Sequence, residues 1–212
     1  MVIPFKNQGT KSRLASVLSP HERQLLSFAM LMDVLDVVSG QGRMTVLSRP
    51  GLNIADIGRD VEIQESELDL NEALNALIAE VARHRWPSDI LIVMADLALL
   101  TEKDVAGILN CDGDVVLCPG RGGGTNMILI RSPRFRTCYH GLSFPKHLAF
   151  ARQTGLEVSI YESFRAGCDI DEPEDLGEVL LHGLGRSKKV LEEMGFSLSK
   201  NGRAGLCRPN NP

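Results

Sequence analysis

The sequence predicts an α/β fold: a single Rossmann-like, three-layer sandwich with a mostly parallel central sheet. Two observations lead to this prediction. Short β-branched runs alternate along the chain with segments of helical periodicity, the pattern of βαβ units. The run at 90–95 is apolar without alternation, which is typical of a strand buried on both faces at the sheet centre. No repeat or linker divides the chain, so we expect one domain over 1–200 and a flexible tail over 201–212.

The first half of the chain is expected to supply four strands and two helices. Strands are predicted at 2–5, 43–48, 60–64 and 90–95. The segment Ser19-Pro20-His21-Glu22 combines an N-cap, a helix-starting Pro and a capping-box Glu, so a helix begins there. Its residues expected to be buried are Leu25, Phe28, Met32 and Leu35. A second helix over 71–86 carries Leu74, Leu77, Ile78 and Val81 on its apolar face and ends at Pro87.

The second half predicts further strands and shorter helices. Thr101 is expected to cap a helix that runs to Asn110. Strands at 114–118 and 127–131 flank a glycine loop, and a helix opens at 143–145. The remaining predicted elements are a strand at 157–161 and helices at 173–181 and 186–194.

The composition is that of an ordinary globular protein. It has 23 Lys and Arg against 27 Asp and Glu, a formal net charge of −4. Nonspecific nucleic-acid binding is not expected, because it needs a broad cationic surface. The five cysteines form no C-x-x-C pair, so neither a disulfide framework nor a zinc site is predicted. Because neither a signal-peptide pattern nor a membrane-length apolar run is visible, we expect a cytoplasmic protein with no membrane partner.

A basic loop follows the first predicted strand. It contains Lys6, Lys11 and Arg13 together with Gly9. Ligands of open α/β sheets bind outside the carboxyl ends of the strands, where backbone N–H groups and cationic side chains can hold phosphates. The loop has neither the Walker nor the G-x-G-x-x-G pattern, and a solvated basic loop is the alternative explanation.

Three aspartates predict a cation site. Asp96 directly follows the central strand, and Asp169 and Asp171 lie two residues apart, with Ile170 expected to turn into the core. Mg²⁺ takes oxygen ligands and bridges carboxylates to substrate phosphates. The alternative is that Asp96 caps the following turn and that Asp169 or Asp171 caps the helix at Pro173.

A glycine-rich segment and a serine supply further polar groups. Residues 121–126 read Arg-Gly-Gly-Gly-Thr-Asn, in which the glycines allow close backbone approach to a ligand. A flexible hairpin turn is the alternative. Ser143 opens a helix, with His147 one turn later. That helix N-terminus could bind a phosphate or carboxylate, or Ser143 could serve only as an N-cap.

In this order, these segments resemble the 2-phospho-L-lactate guanylyltransferases. This family has a Rossmann-like fold of the glycosyltransferase-A (GT-A) type, similar to that of molybdopterin guanylyltransferases. The chain departs from the family pattern at Ala98, where Pro is usual, and at His140, where Gly is usual and Gly141 stands beside it. The matching segments lie at 2–6, 11–14, 70–74, 95–97, 122–126, 143–147 and 165–176.

The resemblance implies a reaction and a set of site residues. GMP would be transferred from GTP to 2-phospho-L-lactate, giving lactyl-2-diphospho-5'-guanosine and pyrophosphate on the route to the deazaflavin coenzyme of methanogens. The implied catalytic cations are Lys6, Lys11 and Arg13, and Mg²⁺ or Mn²⁺ would be held by Asp96, Asp169 and Asp171. The implied binding residues are Pro4, Asn71 and Ala95 for the nucleotide and Thr125, Gly141 and Ser143 for the phosphorylated acid.

The chemistry of this reaction agrees with the residues. The nucleophile is already an anionic phosphate oxygen, so no activated Ser, Cys or general base is required. Phosphoenolpyruvate and 3-phosphoglycerate stay open as acceptors, and a homodimer through 173–195 is a further hypothesis. Two other functions stay open: a GT-A glycosyltransferase with Asp169-Ile170-Asp171 as its D-x-D signature, and a non-catalytic nucleotide-binding module.

Overall fold

The computed structural model describes residues 1–6, 9, 11–52, 57, 61–84, 88–199 and 205–208. The strands of its central sheet are β1 (Val2–Phe5), β2 (Thr45–Ser48), β3 (Glu62–Glu65), β4 (Ile90–Val93), β5 (Val115–Pro119), β6 (Thr125–Ile130) and β7 (Val158–Ile160). Their order is β3-β2-β1-β4-β6-β5-β7, so β4 is central as predicted. All neighbours pair in parallel except β6, which is antiparallel to β4 and β5. The prediction of a mostly parallel sheet is confirmed.

The helices are α1 (Pro20–Val38), α2 (Leu70–His84), α3 (Glu102–Leu109), α4 (Ser143–Gln153), α5 (Asp175–His182) and α6 (Arg186–Glu193). Ser19 and Glu22 form the predicted capping box, and Thr101 and Asp104 form a second one. Each such cap satisfies N–H groups that the first helical turn leaves unpaired. Pro87, the predicted end of α2, lies outside the described residues. Among the described helices, none is both long and apolar enough to cross a bilayer.

Alternating side chains put a helical layer on each face of the sheet. Ile3 and Leu91 belong to a cluster with residues of α1 and α3, whereas Val2 and Ile92 belong to one with residues of α2 and α4. Burial of each such aliphatic side chain contributes about 1.5–3 kcal/mol. The structure is therefore the predicted three-layer sandwich.

The buried face of α1 is wider than predicted. Leu35 and Met32 are buried, but Leu25 is 45% exposed, so its predicted burial is wrong. Leu26 and Met30 are buried instead, in a third cluster that contains residues of α5 and α6. Because α1 packs against both the sheet and these helices, helical spacing alone does not identify its buried face.

The carboxyl-terminal segment is partly ordered. Two short strands, β8 (Ser197–Leu198) and β9 (Leu206–Cys207), pair in antiparallel fashion. Arg208 stacks over the Phe196 ring, 4.8 Å from its centroid, and pairs with the Glu22 carboxylate. Residues 205–208 make these contacts, 201–204 and 209–212 lie outside the described residues, and the flexible tail over 201–212 stays a prediction.

Candidate active site

The carboxyl ends of β1, β2 and β4 open onto a cavity of about 580 Å³. Its size is that of a small-molecule site, and its position is where open α/β sheets bind ligands. Six of the predicted site residues line it: Pro4, Lys6, Lys11, Ala95, Asp96 and Asp171. Half of the candidate residues that the sequence predicted therefore line one cavity.

Lys11 stands in the centre of the charged groups of this cavity. Its ammonium donates to Asp96 Oδ2 and to Asp171 Oδ1, at 2.7 Å in each case. Burial by itself lowers the pKa of Lys11, but the two carboxylates outweigh that effect and raise it. Within the described chain, Lys11 is the one residue other than glycine with a positive φ, at 55°. Such a conformation costs energy in an L-residue and is most frequent at functional sites.

The other two cations of the basic loop are more exposed. Arg13 Nη1 lies 3.6 Å from Asp171 Oδ2, and the Arg13 side chain is 66% exposed. Exposed ion pairs of this kind contribute little to stability. Lys6 is exposed at the cavity wall. Both side chains are therefore available to a ligand.

Asp169 lies beside the Asp96 carboxylate. Burial, together with the negative charge of Asp96, raises the pKa of Asp169. Its Oδ1 accepts a hydrogen bond of 3.3 Å from Asn126 Nδ2, which also donates to the Ala166 carbonyl at 2.9 Å. A Cβ at Gly120 would lie 3.0 Å from Asp169 Oδ1 and 2.5 Å from Asn126 Oδ1, so a side chain there would displace this pair.

The backbone joins the two acidic segments. The N–H of Ile170 donates to the Asp96 carbonyl at 3.2 Å, and the Ile170 side chain is fully buried, as predicted. Asp175 Oδ2 accepts the N–H groups of Asp171 and Glu172 at 2.9 and 2.8 Å. The alternative in which Asp169 or Asp171 caps the next helix is wrong, because Asp175 holds the backbone at the start of α5.

A divalent cation fits part of this arrangement. Asp96 Oδ1 is buried and has no hydrogen-bond partner in the described part of the chain. Its charge and that of Asp169 repel each other, which a hard cation would relieve. Both Asp171 oxygens face cations, Lys11 and Arg13, whereas Asp96 pairs with Lys11 through Oδ2 alone. No three His, Cys, Asp or Glu side chains of the described residues form a metal cluster, so the predicted aspartate triad is not assembled as a set of three ligands.

A second polar network lies at the amino end of β6. His147 Nε2 accepts the Cys138 N–H at 2.7 Å, and its Nδ1 lies 2.8 Å from Thr125 Oγ1. Thr125 Oγ1 lies 3.1 Å from Ser143 Oγ. Ser143 is the first residue of α4, whose N-cap position is Leu142, so the alternative of a purely capping serine is wrong.

The protonation state of His147 determines which atom donates in its hydrogen bond with Thr125. Burial lowers the pKa of His147 to about 4, so the ring is neutral at pH 7. Because Nε2 accepts, the proton is on Nδ1, which donates to Thr125. Thr125 and Ser143 then share one hydrogen bond that can run in either direction, which leaves one hydroxyl hydrogen of the pair to donate to a ligand. The sequence placed His147 one helical turn after Ser143 but gave it no role.

The segment from Thr137 to Leu142, here called the 137–142 loop, is tied to α2. Asn71 Oδ1 accepts the Tyr139 N–H at 2.6 Å, and Asn71 Nδ2 donates to His140 Nε2 at 3.0 Å. Asn71 is not among the residues that line the cavity. Its amide positions the loop, and the predicted place of Asn71 beside guanine or ribose stays a prediction. Gly141 has a φ of 59°, a conformation that favours glycine.

Comparisons with known proteins agree on one family. Residues 1–207 match the family described as "Guanylyl transferase CofC like". The chain is 53% identical over 209 residues to a 2-phospho-L-lactate guanylyltransferase of Methanothrix thermoacetophila, covering 97% of this chain and 94% of that protein. It is 40% identical over 200 residues to one of Archaeoglobus fulgidus, covering 94% and 92%.

Solved structures show the same fold. A candidate nucleotide-diphospho-sugar transferase from Desulfovibrio desulfuricans G20 is similar with a TM-score of 0.73 and 16% identity, over 91% of this chain and 93% of that one. A nucleotidyl transferase from Methanothermobacter thermautotroptrophicus has a TM-score of 0.61 and 16% identity, over 91% and 98%. At such identities the similarity shows the fold alone.

Proposed function

The chain belongs to the CofC-like guanylyl transferase family, and from that membership we propose that it transfers GMP from GTP to 2-phospho-L-lactate. A phosphate oxygen of the acid attacks the α-phosphorus of GTP, the bond between the α- and β-phosphates breaks, and pyrophosphate leaves. The product is lactyl-2-diphospho-5'-guanosine. The glycosyltransferase and the non-catalytic module lose support because relatives that cover nearly the whole chain are named guanylyltransferases.

One observation carries the assignment of roles: Lys11 lies between two carboxylates inside the cavity at the strand ends. A triphosphate needs cationic groups for its oxygens, and its metal needs anionic ones. This cavity offers both within one hydrogen-bonded cluster. Pro4 and Ala95 line the same cavity and are assigned to the nucleotide.

Catalysis is a matter of position and charge. The nucleophile is already ionised, so the protein has to hold two anions in line and stabilise the charge that moves to pyrophosphate. Lys11 stays protonated and can exchange a carboxylate partner for a phosphate oxygen. Lys6 and Arg13, which are exposed beside it, are assigned to the leaving pyrophosphate.

A bound Mg²⁺ or Mn²⁺ would withdraw electron density from the phosphates of GTP. Asp96 and Asp169 are the residues assigned to hold it, since Asp96 Oδ1 lacks a partner among the residues that the structure describes and the two carboxylates repel each other. Asp171 orients Lys11 and Arg13. The orphaned oxygen is the basis for this division of roles.

The phosphorylated acid is assigned to the second network. The hydroxyls of Thr125 and Ser143 share one hydrogen bond, so the pair has one hydroxyl hydrogen left to donate, and Gly141 offers backbone without a side chain. Neutral donors can hold an anion without a proton transfer, which suits an acceptor that has to arrive ionised.

The test is a matrix of nucleotides and acceptors assayed for pyrophosphate. GTP, ATP and CTP are each combined with 2-phospho-L-lactate, phosphoenolpyruvate and 3-phosphoglycerate, with and without Mg²⁺. We expect release only with GTP, highest with 2-phospho-L-lactate, and abolished by a chelator. Asp96→Asn should lose about a thousandfold in rate, whereas Asp112→Asn, at an exposed position, should not. Release of pyrophosphate with no acceptor, or sugar transfer from a GDP-sugar, would refute the proposal.

We also infer that the enzyme is a homodimer through the α5–α6 region. Leu181 and Leu184 are exposed there, at 46% and 85%. Apolar side chains that stand out of a surface are frequent in subunit contacts. Sedimentation velocity at micromolar concentration should give twice the mass of the chain, and Leu184→Glu should reduce it to that of one chain.

A further inference from the structure

Tyr139 packs on the second polar network of the site. It belongs to the 137–142 loop, and its backbone N–H donates to Asn71 Oδ1 at 2.6 Å. Its ring packs edge-on against the His147 ring, with the centroids 4.9 Å apart and an interplanar angle of 76°. The loop and the neutral histidine together fix where the tyrosine side chain stands.

The hydroxyl of Tyr139 is buried and has no hydrogen-bond partner in the part of the chain described. A buried hydroxyl without a partner is costly, and such groups are few in native proteins. Burial and the negative charge of Asp96 both raise the pKa of Tyr139. The hydroxyl is therefore protonated at neutral pH, and it is a donor with no acceptor among the described residues.

A second orphaned atom belongs to the same region. Asp96 Oδ1 is also buried without a partner among the described residues, and the Asp96 charge acts on Tyr139. Asp96 lines the nucleotide cavity, while Tyr139 packs on the histidine that orients Thr125 and Ser143. Tyr139 thus contacts the network assigned to the phosphorylated acid, and its hydroxyl lies within the electrostatic influence of a carboxylate of the nucleotide cavity.

We propose that the Tyr139 hydroxyl donates a hydrogen bond to an anionic oxygen of the phosphorylated acid and helps to determine acceptor affinity. This inference rests on the proposed function. It adds a substrate contact that the sequence gave no reason to select, because a tyrosine in a loop after a strand is most often packing. An anionic oxygen of the bound acid would be the hydrogen-bond acceptor that the Tyr139 hydroxyl lacks among the described residues.

Tyr139→Phe isolates the hydroxyl, because the ring and its contact with His147 remain. We expect the KM for 2-phospho-L-lactate to rise about tenfold to a hundredfold, as for loss of a hydrogen bond to a charged group. The KM for GTP should stay within about twofold. The ligand-free Tm should be unchanged or higher, since the variant no longer buries an unpaired hydroxyl.

The chain offers a matched control. It has two tyrosines, and the other is Tyr161, whose hydroxyl donates to Asp104 Oδ1 at 3.3 Å. Tyr161→Phe removes the same atom from a group that has a partner. It should leave both KM values unchanged, and its Tm should not rise.

The outcomes separate this inference from the proposed function. An acceptor KM within twofold of wild type, an equal rise in both KM values, or a lower Tm of Tyr139→Phe would each overturn the contact. Calorimetric binding of 2-phospho-L-lactate gives a second readout. If the wild type binds the acid without turnover and Tyr139→Phe binds it at least tenfold more weakly, the contact is supported and the proposed reaction is refuted. If the wild type neither binds nor reacts, both are overturned.

Discussion

The Lys11 ammonium lies 2.7 Å from both Asp96 Oδ2 and Asp171 Oδ1, which are 85 and 160 residues away along the chain. One side chain therefore joins the basic loop, the end of β4 and the acidic segment before α5. The left-handed backbone of Lys11 shows that the surrounding structure holds it there at some cost. Four predictions follow from this site.

Lys11→Met should lower kcat/KM for GTP by about a hundredfold to a thousandfold, as for loss of one preorganised charge in an active site. It leaves Asp96 and Asp171 without their shared cation. Pyrophosphate release under saturating acceptor measures the effect. Lys103→Met, on the exposed side of α3, is the control. Equal rates in the two variants would contradict a role for Lys11.

Asp169→Asn should lower the rate of pyrophosphate release by about a thousandfold. The same variant should nevertheless stabilise the ligand-free protein at neutral pH. The pKa of Asp169 is raised in the folded state, so the folded protein binds the proton more tightly than the unfolded one. The stability of the wild type consequently falls as the pH rises above about 4 and Asp169 ionises. The gain from Asp169→Asn should be larger at pH 7 than at pH 3.5. Denaturant unfolding at both values measures it, and a loss of stability at pH 7 would contradict the repulsion with Asp96.

His147→Gln should remove an acid-sensitive contribution to stability. The pKa of His147 is lowered from 6.5 to about 4, so the unfolded state binds the extra proton first. The contribution is full above pH 6.5 and is lost as the pH falls toward 4, which amounts to about 3 kcal/mol for this histidine. Unfolding of wild type and His147→Gln between pH 7 and 4 should differ by this slope. His21→Gln, at an exposed position on α1, should keep the wild-type slope.

Asn71→Ala should raise the KM for the phosphorylated acid more than the KM for GTP. The Asn71 amide holds Tyr139 and His140 of the 137–142 loop. Its loss leaves a loop N–H unsatisfied, so a rise of about tenfold in the acceptor KM is expected. Steady-state kinetics with each substrate varied in turn gives the comparison. A larger rise in the KM for GTP than in the KM for the acid would contradict this prediction and support a contact between Asn71 and the nucleotide.

Local patterns in the sequence were enough for most of the architecture. The run at 90–95 identified the central strand because unbroken apolarity is a local property, which can be recognised without knowing the rest of the fold. The capping boxes at Ser19 and Thr101 identified two helix starts for the same reason. The buried face of α1 was not readable, because it depends on α5 and α6, far away in the chain.

The sequence predicted which types of residue the site contains, but it predicted less well which of those residues contact one another. Lys11 and Asp96 were found by their place after predicted strands, and Asp169 and Asp171 by their spacing of two residues, but the ion pairs of these side chains were not predicted. His147 and Tyr139 carried no signal beyond their ordinary place in a helix and a loop. Asn71 was assigned to the nucleotide, and the structure gives its amide to the 137–142 loop.

The sequence by itself determined the α/β class, the strands and the supply of cations, carboxylates and hydroxyls, because these follow from short-range pattern and composition. The tertiary structure alone decided that β6 runs antiparallel between β4 and β5. That direction brings Thr125 and Asn126 to the edge where β4 ends, beside Asp96 and Asp169. It also placed a largely buried lysine between two aspartates and left the Tyr139 hydroxyl without a partner in the described chain. Such pairings depend on distances between residues remote in the chain, which only the packed core fixes.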